Sequence, residues 1–207
     1  MTRLYAYIAV AVVIAGLGGT WVATQLAGPA ADDRFAACRT GAVAGDAAIG
    51  GPFELVDSTG QTVTDRDVIK EPSILYFGYT FCPDVCPLDA SRNADAVDLL
   101  AERGLSVTPV FISIDPARDT PEVLADFTAN LHDKMIGLTG SPEQVAAASR
   151  AYKTYYKAHP ATEEYYLVDH SNFSYLVLPE HGFVEFFRGD TSAERMAETT
   201  ACFIDNI

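Results

Sequence analysis

The stretch of sequence that decides the fold covers residues 73–87, Ser-Ile-Leu-Tyr-Phe-Gly-Tyr-Thr-Phe-Cys-Pro-Asp-Val-Cys-Pro. Its apolar first part predicts a buried strand, and Cys82 and Cys86 follow with three residues between them. Pro87 suits the first position of a helix, where a missing N–H has no cost. We therefore expect both sulfurs to lie near the positive end of a helix, where the thiolate form is favoured. Because thiolates bind metals and attack disulfides, the pair predicts a reactive or metal-binding site.

Strands and helices alternate through the rest of the domain. The pattern predicts a β-hairpin over residues 52–63, strands over residues 73–77, 105–114, 135–138, 173–178 and 182–187, and helices over residues 88–103, 120–131 and 191–203, with another helix beginning near residue 141. Such an order implies a mixed central sheet with helices on both faces. A cysteine pair after the first central strand of this arrangement suggests an α/β, thioredoxin-like fold.

An uncharged apolar segment occupies residues 4–23 and has the length of a helix of roughly 20 residues that spans a bilayer core. Arg3 precedes it, and Asp32 and Asp33 follow it. The positive-inside rule then places the N-terminus in the cytoplasm and the rest of the chain outside it. A cleaved signal peptide is the alternative, but the apolar segment is longer than the usual core of such a peptide.

These features predict three parts of the chain. We expect a transmembrane signal anchor over residues 1–23, a linker rich in Ala and Gly over residues 24–50, and a globular domain over residues 51–207. The protein would cross the inner (cytoplasmic) membrane once and hold its domain in the periplasm.

The chain is strongly acidic, with 14 Lys and Arg against 28 Asp and Glu and a formal net charge of −14. This charge keeps the domain soluble and disfavours nucleic acid as a partner. An acidic surface can steer a cationic protein partner, although simple solvation explains it equally well.

Two further cysteines, Cys38 and Cys202, lie near the two ends of the predicted domain. Chain ends often lie close together, and disulfides persist in an oxidising compartment, so we predict a Cys38–Cys202 disulfide. Two unpaired structural thiols are the alternative. Residues 35–38 resemble a lipidation signal, but the charges just before them argue against lipidation.

A metal held by two thiolates usually needs a third ligand, and the chain has four histidines. His132, His159 and His181 lie at a helix end, in a polar loop and in a hairpin turn, which are contexts typical of surface residues. His170 precedes the predicted strand over residues 173–178, where a thioredoxin-like fold places the cis-proline loop that faces the cysteines. This segment has no proline and offers an imidazole instead, although a single histidine is more often a structural residue.

Four motifs, in order along residues 52–203, together resemble the Sco/SenC family. They are Tyr79-Thr-Phe-Cys-Pro-Asp-Val-Cys-Pro87, Ile112-Ser-Ile-Asp-Pro-Ala-Arg-Asp-Thr-Pro121, Ile136-Gly-Leu-Thr-Gly140 and Val168-Asp-His-Ser171. Members of this family are membrane-anchored, copper-binding proteins of the thioredoxin fold that help assemble the binuclear copper centre, CuA, of cytochrome c oxidase. The resemblance implies that this chain binds copper and acts on the oxidase subunit that carries CuA, with an upstream copper donor as a further candidate partner.

The resemblance also implies roles for individual residues. Cys82, Cys86 and His170 correspond to the copper ligands of the family. Asp84 corresponds to its acidic residue within the cysteine loop, and Asp169 to the one beside the histidine, so both are expected to act around the ligands rather than on the metal. Capping of the helix that follows explains Asp84 equally well.

The ligand chemistry is consistent with copper. Soft thiolates select Cu(I), and imidazole suits both Cu(I) and Cu(II). A set of three ligands leaves a position for a ligand from a partner, which suits transfer better than storage. Zinc accepts the same ligands with water as the fourth, so the type of ligand alone does not exclude zinc.

Two enzymatic hypotheses stand beside copper delivery. A thiol–disulfide oxidoreductase would use Cys82 and Cys86 as a redox pair that keeps the cysteines of the CuA subunit reduced, and this role is compatible with delivery. The wide cysteine spacing and the missing proline argue against a general thioredoxin. A thiol peroxidase would need a low-pKa thiol beside an arginine, and no arginine occurs between Asp67 and Ser91.

Overall fold

The computed structural model describes residues 5, 7, 12–19, 34–39, 48–159 and 166–207. The chain divides into two units, Met1–Ala37 and Cys38–Ile207. Residues 12–19 are helical, and most of the predicted membrane anchor and linker lies outside the described residues. Within the described part of the chain, no helix is both long enough and apolar enough to cross a membrane.

The second unit has the alternating strands and helices that the sequence predicts. The strands are β1 (Glu54–Asp57), β2 (Thr62–Thr64), β3 (Ser73–Gly78), β4 (Thr108–Ser113), β5 (Ile136–Thr139), β6 (Tyr156–Ala158), β7 (Val168–His170), β8 (Ser174–Leu178) and β9 (Gly182–Phe187). The helices are α1 (Asp65–Val68), α2 (Val85–Glu102), α3 (Pro121–Ala129), α4 (Pro142–Ala151) and α5 (Ala193–Asp205).

The main sheet has seven strands in the order β2-β1-β5-β4-β3-β8-β9. At its centre β3 pairs in parallel with β4, and β4 pairs in parallel with β5. The antiparallel hairpins β1–β2 and β8–β9 flank this centre. Helix α2 packs against α5, α3 against β5, and α4 against β1. The mixed sheet with flanking helices confirms the predicted fold class.

The central strands form where the sequence has continuous apolar runs. Every residue of β3 and of β4 is buried, as expected for strands covered on both faces. Two helices begin at the predicted caps, because Thr120 Oγ1 accepts a hydrogen bond from the Val123 N–H and Ser141 Oγ accepts one from the Gln144 N–H. These caps satisfy backbone donors that have no partner within the helix.

Helix α2 begins earlier than the sequence analysis predicts. It starts at Val85 with Asp84 at the N-cap position, so Pro87 takes the third helical position rather than the first. Proline is tolerated there because none of the first four N–H groups of a helix has an intrahelical partner. As a consequence, Cys86 lies inside the first turn of α2.

Strands β6 and β7 form a separate two-stranded antiparallel sheet that the sequence analysis missed. In this small sheet Tyr156 lies opposite His170, and Ala158 lies opposite Val168. Strand β6 has no buried residue, so its sequence lacks the apolar alternation that would reveal it. The small sheet matters because its second strand ends at His170.

Candidate metal centre

Three segments meet at one edge of the main sheet. Because β3 and β4 are parallel, the segments that follow Gly78 and Ser113 leave from the same edge. Strand β8 is antiparallel to β3, with Ser174 opposite Tyr76, so the segment before Ser174 arrives at this edge as well. The topology thus brings together the cysteine loop, the loop after β4 and the strand that carries His170. Ligand sites in α/β sheets commonly lie at the carboxyl ends of parallel strands.

The three predicted ligands lie side by side at this edge. Cys82 Sγ, Cys86 Sγ and a ring nitrogen of His170 all lie within 4.8 Å of one another. The distance from Cys86 Sγ to His170 Nε2 is 3.2 Å. Both cysteines are free thiols; the exposed fraction is 0% for Cys86 and 8% for Cys82, and His170 is half-buried. Solvent and partners therefore reach the cluster from the side of Cys82 and His170.

The hydrogen bonds of His170 orient its imidazole for metal binding. Its Nδ1 lies 3.0 Å from the backbone oxygen of Ser171, which can only accept, so Nδ1 carries the proton. Nε2 then presents its lone pair towards Cys86, whose thiol can donate to it. Histidine ligands in metal sites are commonly held by such a bond from the second ring nitrogen.

The two cysteines have different surroundings. The backbone N–H of Cys86, at the start of α2, donates to Cys82 Sγ over 3.4 Å, so the helix terminus acts on the first sulfur. Burial raises the pKa of the Cys86 thiol well above its usual value. Desolvation by burial is the largest influence on this pKa, although Cys86 lies at the start of a helix. A metal ion that binds there must displace the Cys86 proton.

Two tyrosine rings stand edge-on to the imidazole. The ring centroids of Tyr76 and Tyr79 lie 6.3 and 5.8 Å from that of His170, at interplanar angles of 85° and 87°. The Tyr79 hydroxyl also accepts a hydrogen bond from the Val168 N–H, at the start of β7. The rings shield the imidazole from solvent and restrict its rotation.

A buried polar network lies on the Cys86 side of the cluster. The Tyr76 hydroxyl donates to Asp89 Oδ2 over 3.0 Å, and Arg92 Nη1 donates to Asp89 Oδ1 over 2.7 Å. Arg92 also donates to the Gly189 backbone oxygen and to Ser174 Oγ. Burial raises the pKa of Asp89, although Arg92 opposes this shift. The network fixes the Tyr76 ring, and no sequence motif reveals it, because its members come from distant segments.

The acidic residues expected around the ligands lie on the rim of the cluster. Asp84 is exposed and occupies the N-cap position of α2, but its side chain makes no capping hydrogen bond. Asp169 is exposed beside His170, and its Oδ2 lies 2.8 Å from His159 Nε2. Helix capping therefore does not explain Asp84, and the side chain of Asp169 contacts that of His159.

An arginine reaches the cysteine loop from a distant part of the sequence. The Arg118 guanidinium carbon lies 4.9 Å from the centre of the Phe81 ring and 5.6 Å from that of Tyr79. Its N–H groups donate to Asp115 Oδ2 and to the Tyr166 backbone oxygen. Asp115 and Tyr166 accept from these donors, and burial raises rather than lowers the pKa of Cys86, which argues against a thiol peroxidase that uses Cys86.

The predicted disulfide between Cys38 and Cys202 is present in the structure. The Cα atoms of the two residues are 5.6 Å apart, within the usual range for disulfides. The bond joins the start of the second unit to its last helix, α5.

The residues of the cluster fit a soft metal ion. Two sulfurs and one imidazole nitrogen are the donor set that Cu(I) prefers, and the imidazole also suits Cu(II). In the absence of metal, the same two thiols can form a disulfide, which would remove both sulfur ligands. The arrangement therefore supports metal binding that depends on the redox state of Cys82 and Cys86.

Comparison with known proteins agrees with this arrangement. The family model described as SCO1/SenC matches residues 41–205. Protein SenC of Rhodobacter capsulatus is 57% identical over 177 residues, which cover 86% of this chain and 80% of that protein. The mitochondrial SCO1 homolog 1 of Arabidopsis thaliana is 45% identical over 152 residues, which cover 73% of this chain and 46% of that protein.

A solved structure shows the same similarity in three dimensions. The crystal structure of Arabidopsis thaliana ScoI with copper bound superposes with a TM-score of 0.72 at 40% identity, covering 76% of this chain and 99% of that one. The family match, the relatives and the shared fold lead to one conclusion: this chain belongs to the SCO1/SenC family.

Proposed function

We propose that this protein binds copper through Cys82, Cys86 and His170 and delivers it to, or prepares, the CuA site of cytochrome c oxidase. The observation that carries the proposal is the convergence of two free thiols and an oriented imidazole within 4.8 Å. Copper is the cargo of this function, and the chain supplies its ligands. That Arabidopsis ScoI was solved with copper bound supports the choice of metal.

The exposure of the cluster suits transfer of the metal. Cys86 is fully buried, whereas His170 is half-buried and lies beside the rim. A ligand from the acceptor can therefore approach from the His170 side while Cys86 still holds the metal. In this role Asp84 and Asp169, which are exposed on this rim, would contact the acceptor or an upstream copper donor.

The proposed site of action rests on the sequence. The apolar segment over residues 4–23 supports a single membrane anchor, and the charges around it support a periplasmic domain at the inner membrane. The Cys38–Cys202 disulfide is consistent with an oxidising compartment. In this position the domain would reach the oxidase subunit that carries CuA.

Thiol–disulfide exchange is a second candidate function, because Cys82 and Cys86 are adjacent free thiols. In this role the pair would keep the cysteines of the CuA subunit reduced before metal arrives. The raised pKa of Cys86 makes that thiol a weak nucleophile in the copper-free protein. This favours copper binding as the main function and reduction as an accompanying step.

Replacement of His170 tests the proposed ligand set. We expect His170→Ala to retain Cu(I) on the two sulfurs and to lose Cu(II) affinity by more than the roughly 10–100-fold that loss of an outer contact costs. Titration of the purified, reduced protein with Cu(I) and with Cu(II) measures both affinities, and the Cu(II) form should show an intense sulfur-to-copper absorption band.

His159→Ala is the matched control, because His159 is an exposed histidine that contacts Asp169 but none of the cysteines among the described residues. It should leave both affinities unchanged. If His170→Ala retained Cu(II) as well as the wild type does, His170 would not be a ligand.

A further inference from the structure

We propose that Arg118 is a positioning residue of the metal centre: its side chain joins the cysteine loop to the strand that carries His170 and so sets the distance between the sulfurs and the imidazole. The inference rests on the proposed copper function. It concerns the loop after β4, to which that function assigns no role.

On one side, Arg118 contacts the start of the cysteine loop. Its guanidinium lies over the rings of Phe81 and Tyr79, 4.9 and 5.6 Å from their centres, within the range of cation–π attraction. Phe81 directly precedes Cys82, and the Tyr79 backbone oxygen accepts a hydrogen bond from the Cys82 N–H. Arg118 thus restrains the backbone that carries Cys82, the residue of the first sulfur.

On the other side, Arg118 contacts the chain that leads into β7. Its Nη1 donates to the Tyr166 backbone oxygen over 2.9 Å, and its guanidinium carbon lies 3.6 Å from the centre of the Tyr166 ring. Asp115 closes this arrangement, because it accepts from Arg118 Nε and from the Tyr166 hydroxyl. Tyr166 is four residues before His170, so the same side chain restrains the third ligand.

The burial of Arg118 and the geometry of its contacts favour arginine at this position. The side chains of Arg118 and Asp115 are 12% and 5% exposed, and Nη2 is buried with no hydrogen-bond partner among the described residues. A buried charge is retained only with close compensation, which here comes from Asp115, one carbonyl and three aromatic rings. A lysine keeps the charge but lacks the planar group that stacks on rings and donates in two directions.

The neighbouring residue provides an internal contrast. Asp119 is fully buried and accepts hydrogen bonds from the Thr80 backbone N–H, from Thr80 Oγ1 and from Ser113 Oγ. These contacts hold the cysteine loop to the end of β4. The hydrogen bonds of Asp119 join the cysteine loop to β4, whereas Arg118 also contacts Tyr166 in the segment before β7.

The experiment compares Arg118→Lys and Arg118→Gln with the wild type, each also in a His170→Ala background. Cu(I) and Cu(II) affinities are measured on the reduced, full-length protein. Amide hydrogen exchange of the copper-free protein is followed at His159 and Ser171, whose N–H groups bond across the small sheet to Leu167 and Tyr155. Val145→Ala is the control for lost stability alone, because Val145 is fully buried in α4.

We expect both Arg118 substitutions to lower Cu(II) affinity about 10–100-fold, to leave Cu(I) affinity unchanged and to speed exchange at His159 and Ser171. If Arg118→Lys lost as much Cu(II) affinity as Arg118→Gln, the planar guanidinium and not the positive charge would be the required feature. In the His170→Ala background neither substitution should lower Cu(II) affinity further, because Arg118 acts through His170. Val145→Ala should lower stability and leave the two affinities and the exchange at the small sheet unchanged.

Two results would overturn the inference and leave the proposed function intact: Cu(II) affinity equal to the wild type in both Arg118 variants, or equal losses of Cu(I) and Cu(II). A wild-type protein that binds neither Cu(I) nor Cu(II) would refute the proposed function instead. Exchange in the copper-free protein would then still decide whether Arg118 restrains the small sheet. If Arg118→Gln did not fold, Arg118→Lys alone would provide each comparison.

Discussion

Two pairs of cysteines in the same domain have opposite arrangements. Cys38 and Cys202 are separated by 164 positions, and a disulfide joins them with their Cα atoms 5.6 Å apart. Cys82 and Cys86 lie only four positions apart, in one loop and the helix start that follows it, yet both remain free thiols. In this second pair Cys82 Sγ accepts a backbone N–H, and Cys86 Sγ faces the imidazole of His170.

The contrast shows that the partner of a sulfur decides its role. In the outer pair each sulfur faces the other across the two ends of the domain, so oxidation produces a permanent link. In the inner pair the sulfurs are held by an amide and an imidazole, so they stay available as ligands. The outer pair therefore has to be oxidised while the inner pair stays reduced for metal binding.

The largest expected effect separates the two pairs by copper binding. We expect Cys82→Ser and Cys86→Ser each to abolish copper binding and CuA assembly, because one sulfur and one imidazole do not form a Cu(I) site of comparable affinity. The double variant Cys38→Ser, Cys202→Ser should still bind one equivalent. Copper titration and oxidase assembly in cells measure this, and normal CuA loading by either inner variant would contradict the proposed delivery mechanism.

The second effect separates the pairs by stability. Loss of the outer disulfide in the double variant should lower the free energy of unfolding by about 3–5 kcal/mol in the chain-entropy model, because the bond closes a loop of 164 residues. Urea unfolding at neutral pH measures this loss, with Cys82→Ser as the control that changes a thiol and keeps the disulfide. Free outer thiols in protein isolated from cells without reductant would refute the link.

The smallest effect concerns the pH dependence of the inner pair. Burial raises the pKa of Cys86 in the folded, copper-free protein, whereas an unfolded thiol ionises near pH 8.5, as a rough reference. The unfolded state therefore loses this proton first, so the related stability is present below that pH and is lost as the pH rises above it. Above about pH 8.5, the free energy of unfolding of the reduced wild-type protein should therefore fall with pH more steeply than that of Cys86→Ser. The difference in slope should be up to about 1.4 kcal/mol per pH unit.

Urea unfolding of both proteins at several pH values measures this difference. Equal pH slopes would mean that the Cys86 thiol is as well solvated in the folded state as in the unfolded state. The two pairs of cysteines would then differ in their positions in the sequence but not in the solvation of their sulfurs.

The parts of the fold that could be predicted from sequence are those with local causes. Continuous apolar runs predict β3 and β4, and a cap followed by proline predicts the starts of α3 and α4. The outer disulfide followed from the positions of Cys38 and Cys202 near the ends of the domain. The three candidate ligands could be named because two are cysteines only four positions apart and the third stands in a family motif.

The parts that sequence did not reveal depend on contacts between distant segments. The small sheet has an exposed first strand and therefore no apolar pattern. Arg118 reaches Phe81 only because β3 and β4 are parallel and end at the same edge. The start of α2 was misplaced by two residues because proline is compatible with any position in a first helical turn.

The last residue of β3 limits how the site can vary. A Cβ atom on Gly78 would lie 3.1 Å from Cys86 Sγ and 2.7 Å from Tyr76 Cε1, although the backbone of Gly78 is not in the left-handed region. Even a methyl group would thus displace the buried sulfur or the ring beside it. In a saturation mutagenesis screen this glycine would behave like a ligand, intolerant of every replacement, although it never touches the metal. The residues that can vary around the centre are therefore limited by the packing of β3 beneath Cys86 as well as by the ligands themselves.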